Sequence, residues 1–561
     1  MRAVIEFDVE MQTRDGVTLR ADVFRPDTDE PVPAILLRTP YNKAARYAGM
    51  DVVTPEDALR RGFAFVVQDV RGRWASEGEY VPISKVEGPD GYDCVTWLAS
   101  QPWCSGSVGM LGMSYESIAQ LMAAETAPPA LKAIIPEYCG DARRGALMLD
   151  SIMVGWAAGQ AADALVKMIA RGEAQLEDLA VVQESIRDPR SAAEHLPLYD
   201  MPLMKVGGLF TYEQMLDILR SAAGTQFDRI QVPALFVTGW YDMATDDATA
   251  FFSHMRSGAG SAVARDHTAL VIGPWEHGRP IDSLGEAYFG MTALAQGMLL
   301  PDLYLRFFAY HLRGDDVALP PAVTYFVTGA NRWKEAPSWP PPEVEPLTLY
   351  LASVNGARSS AGDGTLGRAP GPDRSDSFVY DPAHPVPSHG GSYLRIGGSR
   401  AGPFDQGRIE ARDDVLVYTT APLDTALTVV GDPWLELHAS SSAVDTDFVV
   451  KLCDVHPDGN SRNITDGFVR ARWRDGYENP SWLVPGRVYP FSVGVGPIAH
   501  EFAAGHRIRL DVTSSAFPAF ERNMNTGHPE GSDREGVVAT QVVWHGPERP
   551  SSLHLSVLSG Q

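Results

Sequence analysis

The chain has 561 residues, with 47 lysines and arginines against 71 aspartates and glutamates, for a formal net charge of −24 at pH 7. That length predicts more than one domain, and that charge argues against a nucleic-acid partner or an anionic membrane surface. No uncharged apolar run reaches the roughly 18 residues a spanning helix needs. The N-terminus turns acidic at Glu6 and Asp8 before a signal-like stretch develops, so the expectation is a cytoplasmic protein with neither nucleic-acid nor membrane partners. Cys94, Cys104, Cys139 and Cys453 show no C-x-x-C spacing, and no H-E-x-x-H occurs. They are expected as small buried side chains, with no metal and no cofactor.

In chain order, residues 9–13 and 17–24 flank Asp15-Gly16 and predict a hairpin. Residues 32–39 (VPAILLRT) and 62–68 (GFAFVVQ) read as short buried strands and 93–100 as a helix. Residues 107–112 (SVGMLG) read as a strand running into a tight turn, and 117–124 as a helix with Ile118, Leu121 and Met122 at helical spacing. Further strands are predicted at 131–136, 233–238 (PALFVT) and 268–272 (TALVI). Short apolar strands between helices predict a mostly parallel sheet covered on both faces. The alternation breaks over 142–228, a helical segment with Leu165, Met168 and Ile169 on one face, expected to cap the strand ends. Beyond about Leu312, and past the run Trp339-Pro340-Pro341-Pro342, strands recur without intervening helices. One places Ile508, Leu510 and Val512 on a single face, and another ends at the turn Pro457-Asp458-Gly459. Such a pattern predicts a jelly-roll β-sandwich. The expected division is a catalytic unit over 1–141 and 229–315, a cap over 142–228, and a β domain over 316–561.

The strongest local signal is Gly112-Met113-Ser114-Tyr115-Glu116-Ser117, where a strand ends, Gly-x-Ser follows and a helix begins. That context suits a nucleophile elbow, whose turn exposes the serine hydroxyl above a helix N-terminus. Gly390-Gly391-Ser392-Tyr393 repeats the letters without a preceding strand or following helix, and reads as a turn. A hydrolase of this kind needs an acid and then a histidine in chain order. Asp242 follows the 233–238 strand, where it could orient an imidazole or cap the next helix. His277 follows the 268–272 strand, whereas His267 lies at that strand's wrong end.

With these motifs the chain resembles the cocaine esterase group of serine hydrolases (CocE/NonD type), relatives of X-Pro dipeptidyl-peptidases and α-amino acid ester hydrolases. Thr39-Pro40-Tyr41-Asn42-Lys43 is similar to the family's oxyanion-tyrosine segment, and Gln68-Asp69-Val70-Arg71-Gly72-Arg73 to its arginine-glycine loop. Gly112-Met113-Ser114-Tyr115 is similar to its elbow, and Gly239-Trp240-Tyr241-Asp242 and Gly273-Pro274-Trp275-Glu276-His277 to its acid and histidine segments. The resemblance implies an α/β-hydrolase domain with a helical cap and a C-terminal jelly roll, without cofactor or metal, in a dimer. It implies Ser114 as nucleophile, His277 as base, Asp242 as its orienting acid, and the Tyr41 phenol with the Tyr115 N–H as oxyanion hole. Trp156 is implied as a pocket residue, with Trp240 and Trp275 expected beside the substrate. The sequence departs from the family where Ser117 replaces a glycine, preceded by Glu116. Glu116 is expected either to complement the helix dipole or to face a cationic substrate.

The expected reaction is hydrolysis of a small-molecule ester or amide through an acyl-enzyme. The alternatives are an X-Pro aminopeptidase, or an α-amino acid ester hydrolase or acyltransferase, which would bind a substrate ammonium through pocket carboxylates such as Glu173, Glu177, Asp178 or Glu184. The other class is a binding protein with a dead hydrolase domain.

Overall fold

The computed structural model describes residues 2–46, 52–140, 151–208, 211–221, 224–392, 400–477 and 479–558. The predicted hairpin forms from β1 (Ala3–Gln12) and β2 (Thr18–Pro26), with Gly16 at φ 85° in the turn. Strands β3 (Val32–Thr39), β4 (Ala64–Asp69), β5 (Cys104–Met113), β6 (Leu131–Glu137), β7 (Leu235–Tyr241) and β8 (Ala269–Glu276) form the parallel centre of one sheet. The order across it is β1-β2-β4-β3-β5-β6-β7-β8.

The apolar runs of these strands are continuous because both faces are covered. Successive side chains point to opposite faces. Leu36, Val66, Met110, Ile134, Phe236 and Leu270 enter one core, and their neighbours Ile35, Phe65, Leu111, Ile135, Leu235 and Val271 enter the other. Helices α1 (Glu87–Ala99) and α2 (Tyr115–Glu125) close the first core with Cys94, Leu98 and Leu121.

Between β6 and β7 the chain leaves the sheet and forms α3 (Ser151–Ala170) and α4 (Asp178–Arg187) with further short helices. Ala157, Ala161, Leu165 and Val182 share a core with Val70, Tyr115 and Ala119, which lie just beyond the carboxyl ends of β4 and β5. The inserted segment therefore sits as a cap where the strands end. After β7, α5 (Thr245–Gly258) joins the first core through Phe252 and Met255. Across the sheet, α6 (Leu300–Phe308) fills the second core with Leu300, Tyr304, Phe307 and Phe308.

The first sheet runs on past residue 315. Strand β9 (Val323–Val327) runs parallel to β8, and β10 (Arg332–Ala336) pairs antiparallel with β9, so the first sheet continues to Ala336. Val323, Tyr325 and Phe326 bury in the same core as the central strands, which is why this segment stays with them. The proline run after Trp339 marks the change of sheet. The second sheet begins with Val344–Ala352, paired antiparallel with Ser552–Leu558. Asp447–Val455 lies between Ser461–Arg470 and Arg507–Thr513. Ile508, Leu510 and Val512 face its core as their alternation predicts. The result is an α/β-hydrolase sheet with a helical cap and a C-terminal jelly roll. No helix among the described residues is long and apolar enough to cross a membrane, and all four cysteines are buried thiols.

One close approach fixes the position of α6. A Cβ on Gly109 of β5 would lie 2.5 Å from Phe308 Cε1. Gly109→Ala is therefore expected to destabilise the protein by about 1–3 kcal/mol, the usual cost of overpacking. An unchanged urea midpoint would show that the helix yields without cost.

Candidate active site

Ser114 stands between β5 and α2 at φ 59°, ψ −122°. This conformation is strained for a residue with a Cβ. The local sequence shows how it is held. Ser114 N donates to Glu137 O at 2.9 Å, and Ser117 N and Ile118 N donate to Ser114 O at 3.0 and 3.2 Å. Ser117, at the family's glycine position, is fully buried, and its hydroxyl also donates to Ser114 O. Gly112 has φ 142°, and a Cβ there would meet Glu116 Cβ at 2.6 Å. Gln120 Nε2 donates to Gly112 O at 3.0 Å, while its Oε1 accepts from Ile135 N at 3.1 Å, joining the elbow to β6.

Glu116 lies in the first turn of α2, the position expected to complement the helix dipole. It is buried and forms a two-point ion pair with buried Arg46, Nε to Oε1 at 2.8 Å and Nη2 to Oε2 at 2.9 Å. Met113 N donates to the same Oε2 at 3.0 Å. Burial raises the Glu116 carboxyl above its usual range, and the Arg46 guanidinium opposes that shift. Tyr115 is fastened separately. Its hydroxyl donates to Glu87 Oε1 at 2.7 Å, and Glu87 Oε2 pairs with buried Arg38 at 2.8 Å.

Tyr41 lies on the segment after β3, and the arginine-glycine loop holds that segment. Arg73 Nε and Trp74 Nε1 each donate to Pro40 O at 2.9 Å. Thr39 Oγ1 accepts from Tyr41 N at 3.0 Å, and Asp69 Oδ1 accepts from Lys43 N at 2.8 Å. Burial raises Asp69 to about 6. The Tyr41 hydroxyl accepts from Trp156 Nε1 at 3.4 Å and lies near the Ser114 side chain. Burial pushes the Tyr41 phenol above its ordinary value, so it keeps its proton and remains a donor. Tyr115 opens α2, where its N–H has no partner within the helix.

Asp242 follows β7 and is fully buried. Its Oδ1 meets His277 Nδ1 at 2.7 Å, and its Oδ2 accepts from Thr238 Oγ1 at 2.9 Å. Both oxygens are thus engaged away from α5, whose N-cap is Ala244, so Asp242 is no helix cap. His277 packs against Tyr138 with ring centroids 5.5 Å apart. A Cβ on the next residue, Gly278, would lie 2.7 Å from Met113 Sδ, so the histidine loop rests on the residue before Ser114. Tyr41 and Trp156 are thus joined, Asp242 and His277 are joined, and the histidine loop lies against the residue preceding Ser114. Glu137 is buried beneath them, accepts from Tyr304 Oη, and is raised by burial to about 7.

Two expected pocket residues are corrected. Trp240 is buried and donates to Phe326 O at 2.6 Å, and Trp275 is 0% exposed and donates to Ala293 O at 2.6 Å. β7 and β8 run three to four residues past their predicted ends, so both indoles still point from strands into the core. Ser392 of the second Gly-x-Ser donates to Trp240 O at 3.1 Å, as a turn residue would, and Tyr393 lies outside the described residues. Among the cap carboxylates, Glu173, Glu177 and Glu184 are exposed, and Asp178 accepts from Gln175 N at 3.0 Å. Sequence reasoning missed the Arg46–Glu116 pair and the Arg38–Glu87–Tyr115 chain. Their partners are 28–70 residues apart, and no local pattern signals them.

The comparisons agree over the whole length. Residues 15–279 match the family model for X-Pro dipeptidyl-peptidase (S15 family), and 315–554 match the one for the X-Pro dipeptidyl-peptidase C-terminal non-catalytic domain. The chain is 36% identical to the cocaine esterase of Rhodococcus sp. (strain MB1 Bresler), covering 98% of each. A solved aminopeptidase from a marine sediment Thaumarchaeota archaeon superposes with a TM-score of 0.74 at 25% identity, covering 100% of this chain and 96% of that one. A solved α-amino acid ester hydrolase superposes with a TM-score of 0.72 at 26% identity, covering 99% and 96%. A buried carboxylate on an imidazole beside a serine in a strained turn, and matches of this extent, lead to one conclusion: the chain belongs to the CocE/NonD-type serine hydrolases of the X-Pro dipeptidyl-peptidase (S15) family.

Proposed function

We propose that this protein hydrolyses carboxylic esters of small neutral or aromatic acids through an acyl-enzyme on Ser114, acting as a dimer. The observation that carries the reading is the 2.7 Å contact between His277 Nδ1 and buried Asp242, on a loop that rests against the residue preceding the strained elbow serine. With Nδ1 held by Asp242, His277 takes the Ser114 proton at Nε2 as the hydroxyl attacks the acyl carbonyl. Asp242 fixes the imidazole tautomer and stabilises the imidazolium. The oxyanion is received by the Tyr41 hydroxyl and the Tyr115 N–H at the start of α2. His277 then returns the proton to the leaving alcohol, and water releases the acyl group by the same steps. The Trp156 indole, bonded to Tyr41, forms part of the acyl wall.

The relatives include an enzyme named for cocaine, an aminopeptidase and an α-amino acid ester hydrolase. Binding a free ammonium would call for a carboxylate facing the serine. The cap glutamates considered for that task, Glu173, Glu177 and Glu184, are exposed, which favours an uncharged acyl group. Comparing aminoacyl esters with their N-blocked counterparts by kcat/KM tests this, and activity confined to free-amine substrates would reverse it.

Ser114→Ala is expected to abolish both ester turnover and labelling by a fluorophosphonate probe; labelling that persists would move the nucleophile elsewhere. Tyr41→Phe should lower kcat by roughly 10²–10³-fold with KM little changed, the usual cost of one oxyanion donor. Arg46→Met should cost about 3–5 kcal/mol of stability by leaving the Glu116 carboxylate buried without its counter-charge. Pairing it with Glu116→Leu should recover much of that loss in thermal unfolding.

A further inference from the structure

A second cluster of titratable side chains lies outside the Ser114 constellation, at the seam between the two sheets. Just past β9, Thr328 N donates to Ala499 O and Glu501 N donates to Thr328 O, both at 2.9 Å. This stitches the hydrolase sheet to the jelly-roll strand Ile498–Phe502. Beside the stitch, three imidazoles converge on one carboxylate. Asp454 Oδ1 lies 2.8 Å from His506 Nδ1, and its Oδ2 lies 3.3 Å from His500 Nε2 and 3.7 Å from His456 Nε2. They border a cavity of about 220 Å³ whose other wall includes Tyr241, Phe289 and Thr328 of the catalytic half. The proposed ester hydrolysis uses none of these groups.

We propose that Asp454, His456 and His506 form a binding site for a divalent transition-metal ion of the zinc class. Their donor atoms all lie within 4.8 Å of one another. A tetrahedral ion bonded at about 2.0–2.1 Å needs donors roughly 3.3 Å apart. Measured to the single oxygen Asp454 Oδ2, His506 Nδ1 lies at 3.0 Å and His456 Nε2 at 3.7 Å, which bracket that edge. Two imidazoles and one carboxylate suit zinc, cobalt or nickel. Calcium would require six to eight oxygens, and this cluster does not offer them. His500 is the orienting partner, with Nδ1 tied to Thr328 Oγ1 at 2.8 Å and Nε2 on the ligating carboxylate. His456 and His506 already stack with centroids 4.4 Å apart. Arg462 also lines the cavity and weakens the site for a cation; its Nε donates to Asn460 Oδ1 at 2.9 Å.

The fourth position faces the cavity and takes water. His456 and His506 come from different stretches of the jelly roll, and His500 reaches Thr328 of the first sheet. The ion thus joins the ends of two jelly-roll strands, Asp447–Val455 and Arg507–Thr513, reaching the first sheet only through the His500–Thr328 hydrogen bond, and its effect falls on stability while the ester chemistry is untouched.

The test uses the full chain without a histidine tag, dialysed against a chelator. Titration with Zn²⁺ by calorimetry should show one saturable equivalent and an upward shift in Tm, and Co²⁺ should give d–d absorption with intensity typical of a four-coordinate site. In the double variant His456→Gln/His506→Gln, and separately in Asp454→Asn, both signals should be lost while esterase kcat/KM is retained. Absence of a saturable equivalent in the unaltered protein, or binding undiminished in both variants, overturns the proposal.

Discussion

A serine fixed at φ 59° stores backbone strain of order 1–3 kcal/mol, and the surroundings of Ser114 are organised to keep it there. The turn between β5 and α2 is closed from above by hydrogen bonds onto Ser114 O and from the side by Glu137 O. Beneath it, Arg46 and Glu116 bring a full ion pair into the interior. Such a pair adds little net stability against an apolar replacement, because both charges lose their water. It ties the segment after Tyr41 to the helix that begins at Tyr115, and supplies Met113 N with an acceptor. That is a positional contribution: hydroxyl and phenol are referred to the same rigid support.

The same logic extends outward. Pro40 O receives two donors from the arginine-glycine loop, Arg73 and Trp74, and Arg73 also donates to Gln160 O of the cap at 2.7 Å. One guanidinium thus spans the Tyr41 segment and the lid. On the opposite flank, Asp242 divides its two oxygens between Thr238 and His277. The imidazole is therefore aimed by a group that is itself locked. Catalytic side chains held this way need little reorganisation when charge develops.

The jelly roll contributes through contacts instead of chemistry. Phe517 enters the cap's core, and Ala499 and Glu501 pair with Thr328 at the edge of the first sheet. The Asp454 histidine cluster sits at that same edge, linked to Thr328 through His500.

The parallel sheet, the hairpin, the elbow and the order serine, acid, histidine were legible from residue pattern alone. Strand runs such as VPAILLRT and turn residues such as Gly16 act over a few neighbours, and chain order needs no coordinates. Four features were decided only by the tertiary structure. Trp240 and Trp275 face the core because packing extended β7 and β8 past their apolar runs. Residues 323–336 joined the first sheet because β8 offered them an edge. Glu116 became a buried ion pair because the chain brought Arg46 across 70 residues of sequence. Three histidines spread over 456–506 met Asp454 only once the jelly-roll strands were in register. Local sequence sets conformations that short-range sterics and periodicity can specify. Which charges end up paired, and which aromatic side chains end up dry, depends on partners far along the chain that only the completed packing brings within reach.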